Sequence, residues 1–106
     1  MAWTMLFFAG LLEIAWAVGL KYSEGFTRFW PSVGTAVALV LSMVLLAAAM
    51  RTLPVGTAYT VWVGIGAVGT VILGIVLWQE PVNAARMISV GLILAGVVGL
   101  KLSTPA

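Results

Sequence analysis

Charge is confined to eight positions along the chain: Glu13, Lys21, Glu24, Arg28, Arg51, Glu80, Arg86 and Lys101. Long apolar runs lie between them. Residues 2–20 carry one charge, Glu13. Residues 29–50 and 52–79 carry none, and residues 87–100 form a last run. A hydrocarbon core of about 30 Å is crossed by about 20 helical residues. The first three runs reach that length directly. The fourth reaches it when its helix begins near Asn83 and Arg86 extends to the headgroups. The pattern therefore predicts four transmembrane helices, at about 2–20, 30–50, 54–78 and 83–101.

Proline agrees with these boundaries. Pro31 and Pro54 fall at the starts of the second and third helices, where a missing N–H costs nothing. Pro81 follows the third. The connections, residues 21–28, 51–54 and about 79–83, are short. Successive helices are expected to be antiparallel neighbours in one all-α membrane domain covering residues 1–106. No charged region precedes the first helix and no cleavage site is evident, so a signal peptide is not expected. The chain has no internal repeat.

Composition narrows the chemistry. Hydrophobic residues make up 63% of the chain and charged residues 8%, with a mean hydropathy of +1.21. An ordinary soluble domain is about 25% charged, and small domains bury the smallest share of their surface. A soluble enzyme and a disordered tail are excluded. A net charge of +2 makes no basic patch, so no nucleic-acid partner is expected. Histidine and cysteine are both absent, which removes imidazole catalysis, thiol chemistry, disulfides and nearly every zinc or haem site. Phosphate-binding loops and nucleophile elbows are missing too. No catalysis, cofactor or metal is expected, and the lipid bilayer is the first partner.

Glu13 stands out. It lies about 3 Å from the midpoint of the first helix, where a carboxylate costs roughly 2.5–3.5 kcal/mol to insert. An intramembrane ionisable residue marks a functional site by default. The structural alternative is a protonated side chain bonded to another helix. No lysine or arginine lies at matching depth, so Glu13 has no internal counter-ion. Such a group can hold a proton or exchange it for a cation. Gly10 and Ala9 lie one helical turn before it, Trp16 and Ala17 one turn after. The small residues predict a hollow beside the carboxylate, and Trp16 an aromatic wall.

Trp3, Trp30 and Trp78 lie near segment ends and read as interfacial anchors. Trp16 and Trp62 are deeper, about 7 Å from their helix midpoints. Either is explained by packing alone, but beside a deep carboxylate they suit a cation site. The third helix places Tyr59, Trp62, Gly66 and Gly69 along one approximate stripe. Tyr59 can donate to a carboxylate. Gly64, Gly66 and Gly69 make this helix smooth and flexible, or serve close packing. Ser42, near the middle of the second helix, has two expected partners: Glu13, or its own backbone one turn earlier. Gly91, Ala95 and Gly99 form a small-residue stripe on the fourth helix, which reads as an association face.

Four short helices enclose little cavity. A dimer through the fourth helix would supply the missing wall and bring two Glu13 carboxylates together. Two copies in opposite orientations would resemble an inverted-repeat transporter, exposing one site alternately to each side. Such a pair could exchange protons for a cation.

At the level of motifs the chain resembles the small multidrug resistance family, over essentially its whole length. The matching stretches are GLLEIAWAVGLK (10–21), GLKYSEGFTRFWPS (19–32), LPVGTAYTVWVGIGAVGT (53–70) and GLILAGVVGLK (91–101). Trp16, Gly56, Thr57 and Lys101 make it more similar to the guanidinium exporter subtype than to the polyaromatic-drug exporters. The resemblance implies an antiparallel, dual-topology homodimer in the bacterial inner membrane, with the fourth helix at the interface. It implies proton-coupled export of guanidinyl cations, with Glu13 as the shared carboxylate for proton and substrate. Trp16 and Ser42 would support Glu13, Tyr59 and Trp62 line the pocket, and Gly10 give room beside it. Thr60 and Val63 depart from the alanine and small hydroxyl residue of the family pattern, which bears on substrate preference. A guanidinium ion is planar, and its paired N–H groups match a carboxylate.

Four rival readings remain: a quaternary ammonium or multidrug exporter, one half of a heterodimer, a passive cation channel, and a structural membrane subunit. Topology offers an early test. With four spans, Arg51 and Lys101 lie on one side and Lys21, Arg28 and Arg86 on the other. Two against three leaves almost no positive-inside bias. The expected outcome is insertion in both orientations. A single loop cysteine should label from either face of the membrane, and labelling from one face alone would refute this.

Overall fold

The computed structural model describes residues 1–103. Helices form where the apolar runs lie: α1 (Ala2–Tyr22), α2 (Phe29–Ala49), α3 (Val55–Trp78) and α4 (Ala84–Ser103). Each is long and apolar enough to cross a membrane. A backbone in hydrocarbon must pair its own polar groups, and a helix does so within one segment. No strand occurs among the described residues.

Local chemistry sets the ends. After α1, the buried Ser23 hydroxyl donates to the Leu20 carbonyl at 2.8 Å and accepts the Phe26 amide at 3.1 Å. Glu24, Gly25 and Phe26 then turn through left-handed conformations. Gln79 ends α3, also left-handed, and the Glu80 amide that follows donates to the Gly74 carbonyl at 3.3 Å. Asn83 starts α4: its Oδ1 accepts the Arg86 amide at 2.9 Å, an N-terminal cap. That cap draws residues 84–86 into the helix, so the short run 87–100 becomes a helix of 20 residues.

The helices do not pack in simple succession. α1 lies between α2 and α3 and touches both extensively, while α2 and α3 scarcely meet. The expectation that every consecutive pair packs as neighbours is corrected here: the bulk of α1 holds α2 and α3 apart. α4 packs against α3, contributes no buried residue, and makes the Cα trace a slab of 42 × 35 × 16 Å. Close approach is made possible by glycines. Ile65 sits over Gly10, Thr35 over Gly19 and Val97 over Gly64, where a Cβ would collide. Cation–aromatic contacts tie the two ends: Lys101 Nζ lies 5.1 Å from the Trp3 ring, and Lys21 Nζ 5.0 Å from the Trp78 ring.

The core is polarised. Leu6, Ala9, Leu46, Ala49, Leu53, Ala58, Val61 and Trp62 form its buried cluster, towards the α2–α3 connection. At its inner edge Ser42 joins three helices. Its hydroxyl donates to the Ala9 carbonyl of α1 at 2.7 Å and accepts the Trp62 indole N–H of α3 at 2.9 Å. All three groups are satisfied in a medium without water.

Ser42→Ala leaves the Trp62 N–H buried and unpaired. The expected loss is about 1–2 kcal/mol, between the mean for membrane hydrogen bonds and the cost of an orphaned donor. Reversible unfolding in mixed detergent micelles measures it. Adding Trp62→Phe should cost less than the sum of the two single changes, because no orphan then remains.

Candidate functional site

Glu13 sits about 1.5 Å past the midpoint of α1. Its carboxylate lies against the backbone of Gly66, at the middle of α3, where any Cβ would strike Oε1 and Cδ. Gly66 is therefore fixed by the approach of Glu13. Gly69 similarly receives Ile14, and Gly64 receives Val97. Close packing, the second of the expected roles, accounts for all three positions.

Two polar atoms at this site are buried without a hydrogen-bond partner: Glu13 Oε1 and Trp16 Nε1. Both residues line one cavity of about 230 Å³, with Ala17, Val63, Gly66, Ala67 and Thr70. A buried acceptor and a buried donor, on residues that line the same small space, thus each lack a bond whose absence costs about 1–3 kcal/mol. Among the described residues the ion pairs are Glu24–Arg28 at 4.0 Å and Glu80–Arg86 at 3.3 Å, and neither involves Glu13. No cluster able to hold a metal ion occurs among them. Chemically, the site can take a proton on Glu13, or a cation whose N–H groups reach Oε1.

Several expectations are corrected by this geometry. Ser42 bonds neither Glu13 nor its own backbone: its single proton goes to the Ala9 carbonyl. That carbonyl also accepts the Glu13 amide in a regular helix, so Ser42 braces the turn carrying Glu13 without touching the carboxylate. Gly10 gives no hollow, because Ile65 fills the space over it. The hollow lies instead on the side of Ala17 and Ala67. Tyr59 makes no hydrogen bond to Glu13. It is 53% exposed and packs its ring 5.6 Å from that of Trp62. Trp62 is 5% exposed and turned to Ser42, so neither ring lines the Glu13 cavity within one copy.

Val63 lines the Glu13 cavity, and with Thr60 it also lines an apolar cavity of about 600 Å³ between α3 and α4. Gly91, Ala95 and Gly99 are exposed, with open space around Gly91 and Gly99. Thr70 and Ala67 were not anticipated. Helical spacing carried the signal for Thr70, which falls four residues after Gly66 on the face that meets Glu13.

Comparison with known proteins adds a second line. The Small Multidrug Resistance protein profile matches residues 1–93. A Guanidinium exporter of Yersinia pseudotuberculosis is 62% identical over 104 residues, covering 98% of this chain and 100% of the relative. Guanidinium exporters of Citrobacter freundii and Salmonella typhimurium are each 60% identical over 104 residues, covering 98% of this chain and 99% of the relative.

The contact between Glu13 and Gly66 is directly testable. Gly66→Ala places a methyl group where Oε1 lies, so the carboxylate must move into the cavity. Modification of Glu13 by a hydrophobic carbodiimide is expected to quicken about tenfold, the rate equivalent of ~1.4 kcal/mol. Glu13→Gln controls for labelling elsewhere. An unchanged rate would mean that α3 yields and the carboxylate stays.

Proposed function

The chain belongs to the Small Multidrug Resistance family, and from that premise we propose that it exports guanidinium and small guanidinyl compounds in exchange for protons. It works as a multi-pass protein of the bacterial inner membrane. The observation that carries the proposal is Glu13: a mid-membrane carboxylate with one buried, unpartnered oxygen, beside a small cavity and outside the ion pairs found among the described residues. The names of close relatives, Guanidinium exporter, support the cargo. They are transporters by name, which supports a non-enzymatic role here.

Guanidinium suits the site for chemical reasons. It is planar, weakly hydrated for its charge, and offers paired N–H donors to a carboxylate. A proton on Glu13 and a cation beside it satisfy the same oxygen. One displaces the other, and that competition is the coupling.

Trp16 supports a dimer. Its indole N–H lacks an acceptor within one copy, and guanidinium has only donors to offer. A carboxylate oxygen of a second copy would satisfy it. One copy also walls the cavity with α1 and α3 only. In our reading two copies associate antiparallel through the bare Gly91, Ala95 and Gly99 face of α4. Both Glu13 side chains then share one site, and their titration belongs to the pair. Tyr59, exposed in one copy, would complete the wall of the other, with Trp62 behind it. Exchange of conformation between the copies gives alternating access.

Guanidinium-evoked current from proteoliposomes tests the proposal. The wild-type protein should give a current that depends on the proton gradient. Glu13→Gln should lower it about 30-fold or more, the scale of losing one partner of a buried charge pair. Equal transport of tetramethylammonium, which has no N–H, would favour the quaternary ammonium reading. Undiminished current in the Glu13→Gln variant would favour a channel.

A further inference from the structure

At a cavity beside that of Glu13 lie two cation-binding groups, Glu80 and Trp78, and each is occupied by one of the chain's own cations. This second cavity, of about 360 Å³, shares Ala17, Ala67 and Thr70 with the first and runs on to Lys21, Trp78 and Glu80. Along α3 it lies about 12 Å further on, from Gly66 to Gly74. Glu80 is held at its mouth by the backbone. The left-handed Gln79 turns the chain back, the Glu80 amide donates to the Gly74 carbonyl at 3.3 Å, and the carboxylate lies against Gly74. Arg86 Nη2 donates to Glu80 Oε1 at 3.3 Å. Beside this pair, Lys21 Nζ lies 5.0 Å from the Trp78 ring, which stacks on Tyr22 at 5.2 Å.

We propose that Glu80 is a second binding site for the guanidinyl cargo, at the mouth of the Glu13 cavity, and that the cargo occupies it by displacing the Arg86 side chain. This rests on the guanidinium-export reading above. The Arg86 head group is itself a substituted guanidinium, so the contact displays the chemistry Glu80 accepts. The pair is weak enough to open. It is a single long contact between side chains that are 33% and 39% exposed, and such pairs contribute about 0–1 kcal/mol. The exchange leaves no carboxylate stranded, because one guanidinium replaces another. Arg86, released near the start of α4, extends to the headgroups as long cationic side chains do at helix ends.

Lys21 does not compete for Glu80. No ion pair joins them among the described residues, and the Trp78 face holds the ammonium aside. A cation without N–H groups cannot replace the hydrogen bond that Arg86 gives up. The mouth thus discriminates against quaternary ammonium ions before they reach Glu13.

Opposite signs from the two partners test this. In proteoliposomes, KM for guanidinium is measured for the wild type, Glu80→Gln and Arg86→Gln. Displacement requires Glu80→Gln to raise KM and Arg86→Gln to lower it, each about two- to fivefold, the scale of a partly exposed ion pair. Glu80→Gln should also narrow the preference for guanidinium over tetramethylammonium. A bridge that is only structural breaks equally in both variants. Shifts of the same sign, or none, would therefore overturn the proposal. If Glu80→Gln fails to insert, Arg86→Gln decides alone: a lowered KM supports displacement and an unchanged or raised KM refutes it. Wild-type protein that carries no guanidinium would instead overturn the export reading itself, and this site with it.

Discussion

A carboxylate in hydrocarbon is the constraint around which this chain is arranged. Placing Glu13 at mid-helix costs roughly 2.5–3.5 kcal/mol, and among the described residues no ion pair offsets it. The neighbouring helix yields to it instead. α3 carries glycine at position 66, so the carboxylate can lie directly on its backbone. One oxygen is left buried and unsatisfied at a cavity.

Precision at Glu13 comes from a group that never touches its side chain. The Ser42 hydroxyl grips the Ala9 carbonyl and receives the Trp62 N–H. These bonds lock one turn of α1 against α2 and α3, and that turn ends at Glu13. Functional groups held on rigid elements by satisfied hydrogen bonds keep their geometry under load. The tightly packed end of the bundle surrounds this node, and the Glu13 cavity and the one adjoining it open along the other half of α1 and α3. A firm end and an open end in one small chain give a pivot and a path. α4 packs on α3, with Val97 over Gly64, yet buries no residue of its own and leaves Gly91 and Gly99 in open space.

Charged side chains near the helix ends serve the packing as well. Five cations are present, and three of them meet an aromatic face or a partly buried carboxylate: Lys101 on Trp3, Lys21 on Trp78, Arg86 on Glu80. The first secures the α4 terminus. The other two contacts lie at the second cavity, which Lys21, Trp78 and Glu80 line and which shares Ala17, Ala67 and Thr70 with that of Glu13.

Much of the fold was legible because membrane insertion imposes simple rules. Apolar runs about as long as the bilayer is thick, broken by charge and proline, place the four helices. A lone mid-helix carboxylate marks Glu13, and a tryptophan one turn later marks Trp16. Those signals are local and depend on depth and periodicity alone. Partner choice was not legible. Ser42 had two reasonable partners in the sequence and took a third, a carbonyl 33 residues away. Gly10 promised space that Ile65 fills, and at Gly66 the sequence left flexibility and close packing open where the structure provides contact. Tyr59 shares a stripe with Trp62 yet faces outward. Each of these depends on how the helices rotate and cross, which is decided by side chains meeting across interfaces. Periodicity within one helix says which residues share a face, and only the packed structure says what that face meets.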